Sequence, residues 1–163
     1  MRPDVYWIDG VPCGRLAIMA RPRAGDWLAD EILGWRNAGI NVVVSLLELH
    51  EVHELGLSRE AELCLDHAIE FVAFPMPDRG VPDARQAASE LARRLVEQIR
   101  VGKAVAIHCR AGIGRSALIA AYVLGLMGIE SGAAFKFIGE ARGVVVPDTK
   151  QQREWVHAAL AVK

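Results

Sequence analysis

No cysteine in this sequence has another close by. The three present, Cys13, Cys64 and Cys109, are widely spaced and odd in number, so spacing offers neither a CxxC site nor a disulfide framework. Free thiols in a reducing cytoplasm are the expectation. Charge of one sign is also lacking: 19 basic residues against 20 acidic leave a net −1. That excludes a global pull toward nucleic acid or an anionic membrane, although a local basic site stays open. The opening residues, MRPDVYWIDG, lack the apolar core of a secretory leader. No apolar stretch approaches the length of a membrane span; the longest, Ala117 to Met127, suits a buried helix. Repeats, low-complexity tracts and long linkers are missing too. A chain of 163 residues then predicts one domain, residues 1–163, able to bury a core without staples.

What is present alternates between strand and helix character, which predicts an α/β fold. Val5 to Ile8 and Leu16 to Ala20 read as short strands. Asp26 is placed to cap a helix carrying Leu28, Ile32 and Trp35 on one face, with Gly39 as its stop. Asn41 to Leu47 is a β-branched run of the kind found in buried strands, and Ile69 to Met76 is the next strand. Ser58 is placed to cap a short helix between them. Asp83 and Gln86 have capping-box spacing before a stripe of Ala84, Ala87, Ala88, Leu91, Leu95 and Ile99; Gly102 ends that helix. Ala104 to His108 is a short apolar strand. Helices are expected over Arg115 to Met127, Ser131 to Ala141 and Asp148 to Val162. The sum is a central, mostly parallel sheet of four or five strands flanked by helices.

Chemistry concentrates in His108-CRAGIGRS-Ser116. A strand ends at Cys109 and a helix begins at Arg115. Between them Gly112 and Gly114 tolerate the backbone angles of a tight loop. Such a loop turns successive N–H groups inward as an anion nest, and the helix N-terminus behind it adds partial positive charge. A thiol at the base of the nest favours the nucleophilic thiolate. Arg115 offers two parallel donors to phosphate oxygens, which lysine cannot match. A nucleophile, an oxyanion cradle and a bidentate clamp are the parts phosphoryl transfer needs.

HCRAGIGRS resembles the HC-x5-R-S/T signature of the protein tyrosine phosphatase superfamily, and the short chain resembles its compact dual-specificity class. The resemblance implies Cys109 as nucleophile, Arg115 as phosphate clamp, Ser116 as the hydroxyl that helps the thiolate leave, and His108 as support for the cysteine. Arg110, Ala111, Gly112, Ile113 and Gly114 match the amide-lined loop. Met76-PDRGVPD-Asp83 is similar to the family's general-acid loop and places that role on Asp78. Val146-PDTKQQREWV-Val156 resembles the segment that helps position the hydrolytic water. Gln152 falls on a glutamine found there, while Asp148 occupies the place of the main water-orienting glutamine and also has capping-box spacing with Gln151. Glu48, ending the Val42 to Leu47 strand, is a candidate to orient Arg115.

The implied activity is metal-independent hydrolysis of phosphotyrosine, with phosphoserine or phosphothreonine also admitted by a shallow pocket. A phosphorylated protein or peptide is then the expected partner, with no cofactor, no nucleic acid and no membrane, and with the chain a monomer. Arg79 and Arg110 keep a phosphoinositide or other small phosphoester open. A phosphate-binding module without turnover and a sulfur-transfer or arsenate role are the other readings, although neither of the last two needs Asp78. His50-Glu51-Val52-His53 does not have the i, i+4 histidine spacing of a zinc helix and reads as a polar helix or loop.

Overall fold

The structure is a computed structural model and describes residues 4–162. Five strands form one sheet: β1 (Tyr6–Trp7), β2 (Arg15–Met19), β3 (Val42–Ser45), β4 (Glu70–Ala73) and β5 (Ala104–His108). Their order is β1-β2-β5-β3-β4. The β2–β5, β5–β3 and β3–β4 pairs are parallel, and only the edge pair β1–β2 is antiparallel. The mostly parallel sheet expected from the β-branched runs is therefore present, with strands shorter than their apolar stretches.

Both faces of the sheet are covered, as parallel sheets require. Leu16, Ile18, Val42, Val44, Val105 and Ile107 point into one core. Over it lie α4 (Arg85–Arg100), α5 (Arg115–Leu126), α6 (Ser131–Arg142) and α7 (Lys150–Ala161). Ala17, Met19, Val43 and Ala106, the alternate residues, face a second core with Ile32, Trp35, Leu63 and Cys64. That side is built by α1 (Leu28–Asn37), α2 (Leu49–Glu54) and α3 (Glu60–Asp66). The central helix α5 is buried on all sides from Arg115 to Leu124. A helix without a polar face is what a layer packed from every direction demands.

Several helix starts differ from the expected ones. Asp26 does not cap α1; it lies in a 3₁₀ turn, Gly25–Trp27, that leads into the helix. Ser58 bonds His53 Nδ1 at 3.4 Å instead of capping α3. Asp83 and Gln86 form no capping box: Ala84 is the N-cap residue of α4, and Gln86 donates to Glu90 at 3.1 Å. Ala84 and Ala87 are exposed, so the buried stripe of α4 starts at Ala88. In α7 the cap is Thr149, one residue after Asp148, and its box partner is Gln152, not Gln151.

The strand β5 sits between β2 and β3, where the strand order reverses direction from the centre. Ligand sites of open α/β sheets form at the carboxyl ends of strands at such a point. His108 ends β5 there.

Candidate active site

The segment from Cys109 to Gly114 links β5 to α5 in one tight loop. Gly112 holds φ +71°, the left-handed region. A Cβ there would lie 2.5 Å from the Met19 carbonyl carbon and 2.6 Å from the Ala20 nitrogen, so this glycine is required twice over. The loop's carbonyls are turned outward and engaged: the Arg21 N–H bonds Arg110 O at 3.1 Å, and Arg142 donates to Gly112 O at 3.1 Å and Ala111 O at 3.2 Å. Carbonyls tied down on the outside leave the amides free to converge inside, the condition for an anion nest.

Cys109 is buried at the base of that loop. Its Sγ accepts the Gly112 N–H at 3.3 Å and lies 3.3 Å from Ser116 Oγ. The Ser116 hydroxyl, on the first turn of α5, is placed to donate to a thiolate. Behind Cys109 stands fully buried His108. Its Nε2 is 2.6 Å from Glu60 Oε2, and its Nδ1 is 3.3 Å from Cys109 O. With both ring nitrogens engaged, the imidazole has one orientation.

Arg115 is 1% exposed, yet its guanidinium is fully supported. Glu51 accepts from it with both oxygens, at 2.6 and 3.0 Å, and the Met76 carbonyl accepts at 3.0 Å. Burial works against both charges, and their pairing overrides it. Arg115 is held above the ordinary arginine value by the Glu51 bond and the charges of Cys109, Glu51 and Asp78. Glu51 is held below its ordinary 4.5 by Arg115, the Glu48 N–H and the charge of Arg110.

The residue expected to orient Arg115, Glu48, does not touch it. Glu48 caps α2 and pairs with His50 at 3.6 Å; the helix that starts after it swings Glu51 inward instead. Glu48, His50 and Glu51 do bring ligand-type atoms within 4.8 Å of one another, but both Glu51 oxygens already serve Arg115.

Asp78 faces the loop from the β4–α4 connection, with its Oδ1 3.3 Å from the Arg115 guanidinium and its side chain 55% exposed. Together with Arg79, Cys109, Arg110, Ala111, Gly114, Arg115 and Asp148 it lines a cavity of about 240 Å³. Asp148 is exposed, with its carboxylate against Gly114. Arg110 is half exposed and 3.8 Å from Glu51. Ile113 is partly buried and packs on the core instead of lining the cavity. Gln152 is fully buried, and its amide is spent on Thr149 and Gly80. One cavity thus joins a thiol, three guanidinium groups and two carboxylates, a set able to bind a phosphoryl group, attack it and protonate a leaving oxygen. A larger groove of about 470 Å³, lined by Phe135, Val145 and Arg153 among others, contains none of these groups.

Three supporting residues escape sequence reading: Glu51, Glu60 and Arg142. Glu51 carried one usable signal, an acid in the first helical turn after β3. Glu60 and Arg142 carried none.

Comparison with known proteins shows the family and the fold. Residues 17–127 match the family described as "Polymorphic toxin system, DSP-PTPase phosphatase". No curated protein matches the chain. Among solved structures, it is similar to kinase associated phosphatase with its catalytic-site cysteine changed to serine (TM-score 0.89, 21% identity, covering 100% of this chain and 98% of that one). It is similar to Tk-PTP in the active form (TM-score 0.79, 26% identity, 100% of both chains). It also resembles PTPMT1 in complex with PI(5)P (TM-score 0.75, 17% identity, 95% of each chain). The first and third likenesses describe the fold.

Proposed function

As the chain belongs to the polymorphic toxin system DSP-PTPase phosphatase family, we propose that it hydrolyses phosphotyrosine, and phosphoserine or phosphothreonine as well, through a phosphocysteine at Cys109. The observation that carries this reading is the meeting of three groups on one cavity: the Cys109 sulfur accepting a loop amide, the Arg115 guanidinium locked by Glu51, and the Asp78 carboxylate facing it.

In this reading the phosphate of a phosphorylated protein or peptide enters the loop and is held by its amides and Arg115. The thiolate attacks phosphorus as the P–O bond breaks, and protonated Asp78 gives its proton to the leaving oxygen. Water then attacks the phosphocysteine and gives a proton to the Asp78 carboxylate, which restores the acid. The P–S bond breaks, inorganic phosphate leaves, and the Ser116 hydroxyl donates to the returning thiolate. His108 keeps the backbone at Cys109 in place through Glu60. Each step needs only groups of this chain, and the reaction is proposed as metal-independent and carried out by a monomer whose single domain, residues 1–163, holds the whole site. A reducing cytoplasm would keep Cys109 and the other thiols free, as they are here. No helix among the described residues is long and apolar enough to cross a membrane.

A phosphoinositide or other small phosphoester is the second reading, favoured by Arg79 and Arg110 on the cavity wall. The test is turnover of an aryl phosphate with chelator present, for wild type and Cys109→Ser, with vanadate as inhibitor. Phosphopeptides and phosphoinositides are then compared for phosphate release. Turnover lost in the serine variant and blocked by vanadate is expected. A folded wild type that binds vanadate but turns over none of these substrates would leave a phosphate-binding module.

A further inference from the structure

Gln152 is fully buried, so its amide must find every partner inside the protein. Its Oε1 accepts the Thr149 N–H at 3.2 Å, and its own backbone N–H bonds Thr149 Oγ1 at 3.1 Å. This reciprocal pair pins the side chain at the first turn of α7. The amide nitrogen then reaches across to the β4–α4 connection, where Nε2 donates to the Gly80 carbonyl at 3.0 Å. Only this orientation of the amide works, because Thr149 presents an N–H and Gly80 a carbonyl.

Gly80 is not an arbitrary anchor. Its own N–H bonds the Pro77 carbonyl at 2.9 Å and closes a turn whose two central residues are Asp78 and Arg79. Arg79 holds φ +57°, a region that side chains other than glycine resist. A turn that carries such a residue, exposed to solvent, needs an outside hold to persist. Asp78 meets Arg115 from this turn. The Gln152 amide also packs against Gly114, where a Cβ would lie 3.1 Å from Nε2. Gln152 thus touches the two loops that face each other across the cavity.

We propose that Gln152 is a latch: a positioning residue that holds the Asp78 turn over the Cys109 loop and so governs protonation of the leaving group. It acts on the first chemical step and not on the water of the second. The inference rests on Asp78 being the general acid of the function proposed above.

The two steps separate in kinetics, since kcat/KM extends only through departure of the leaving group. Gln152→Glu keeps the acceptor for Thr149 and removes the donor to Gly80; Gln152→Met removes both at similar volume. With phenyl phosphate, kcat/KM is expected to fall roughly tenfold or more in each variant, part of the range a general acid supplies. With a dinitrophenyl phosphate, whose leaving group needs no proton, the fall is expected to stay within about threefold. Inhibition by vanadate should be unchanged within about threefold, which also certifies folding. A readout independent of turnover is tryptic cleavage between Arg79 and Gly80, expected to quicken roughly tenfold as the turn opens more often. An equal fall for all leaving groups, or an unchanged kcat/KM with a new burst of phenol release, would overturn the latch; the burst would assign Gln152 to the hydrolytic water. Wild type inactive on every substrate would sink the phosphatase reading instead. In that case the tryptic rate alone decides the latch, and unchanged cleavage ends it.

Discussion

Glu51 grips Arg115 through both carboxylate oxygens, at 2.6 and 3.0 Å, and neither side chain is more than a few percent exposed. A buried pair of this kind fixes the guanidinium plane, so its remaining edge presents donors to the cavity in one geometry. Removing one partner leaves a charge buried alone.

Glu51→Ala is therefore expected to cost about 3 kcal/mol of stability, a melting temperature lower by roughly 6–12 °C. KM and the vanadate inhibition constant should both rise. The pair also sets a pH dependence. Glu51 lies below its ordinary 4.5 in the folded protein, so its contribution is complete above that value and is lost as pH falls through the folded-state one. Wild type should lose melting temperature as acid is added below about pH 4.5, and Glu51→Gln should show a shallower loss over the same window. Thermal scans between pH 3 and pH 7 check this; parallel curves would mean the ion pair does not control acid stability.

Gly112 carries a second expectation. Alanine there must adopt φ +71° and push its Cβ into the Met19–Ala20 peptide. Because Met19 belongs to a central strand, the loop must yield and not the sheet. Gly112→Ala is expected to keep the fold and lose at least about 100-fold in vanadate affinity, through removal of the nest that a low-dielectric oxyanion site depends on. Far-UV circular dichroism with vanadate titration tests it. Unchanged affinity would mean the Gly112 amide contributes nothing to anion binding.

The reach of sequence reading follows from the physics of each signal. Strands β3 and β5 were legible because a run such as Val42–Ser45 has no polar face to offer water. The Cys109 loop was legible because strand, glycine loop and helix start occur in one continuous stretch. Caps were misread at Asp26, Ser58, Asp83 and Asp148, where a good capping residue lay within two or three positions of the true start. Helix entry depends on the preceding chain path, as in the 3₁₀ turn ahead of α1. The choice of Glu51 over Glu48 depends on how α2 is rotated against the sheet. Glu60 reaches His108 from a different helix, a contact that only the tertiary fold creates.

The three thiols should differ sharply in reactivity. Cys64 is buried in the core on the α1–α3 side of the sheet, and burial together with Glu60 pushes its thiol up to about 12. Cys109 packs with the opposite core and opens to the cavity, and Cys13 is exposed. Iodoacetamide at neutral pH, followed by peptide mass spectrometry, should label Cys109 and Cys13 and leave Cys64 untouched in the folded protein. Vanadate should protect Cys109 alone. Peroxide should yield no Cys64–Cys109 disulfide, because the sheet stands between them; finding one would refute the inert role of Cys64.

Arg142 supplies the last expectation, since it acts on the loop from outside the cavity. Its guanidinium lies over the Tyr6 ring, 4.3 Å from the centroid, and from there donates to Ala111 O and Gly112 O. Those two bonds engage carbonyls that would repel an anion if they turned into the loop. Losing both should leave two carbonyls to be satisfied by water and free the peptide planes to rotate. At about 1 kcal/mol per bond, Arg142→Ala should weaken vanadate binding by roughly 10- to 30-fold. Lysine can reach one carbonyl but cannot fork to two, so Arg142→Lys should fall between. Tyr6→Phe keeps the aromatic face and should match wild type, whereas Tyr6→Ala removes the platform and should cost about 1 kcal/mol or less. Inhibition constants for the four variants, ordered this way, would establish that the loop's outward carbonyls need a brace. If Arg142→Ala binds vanadate as wild type does, the loop keeps its shape without one.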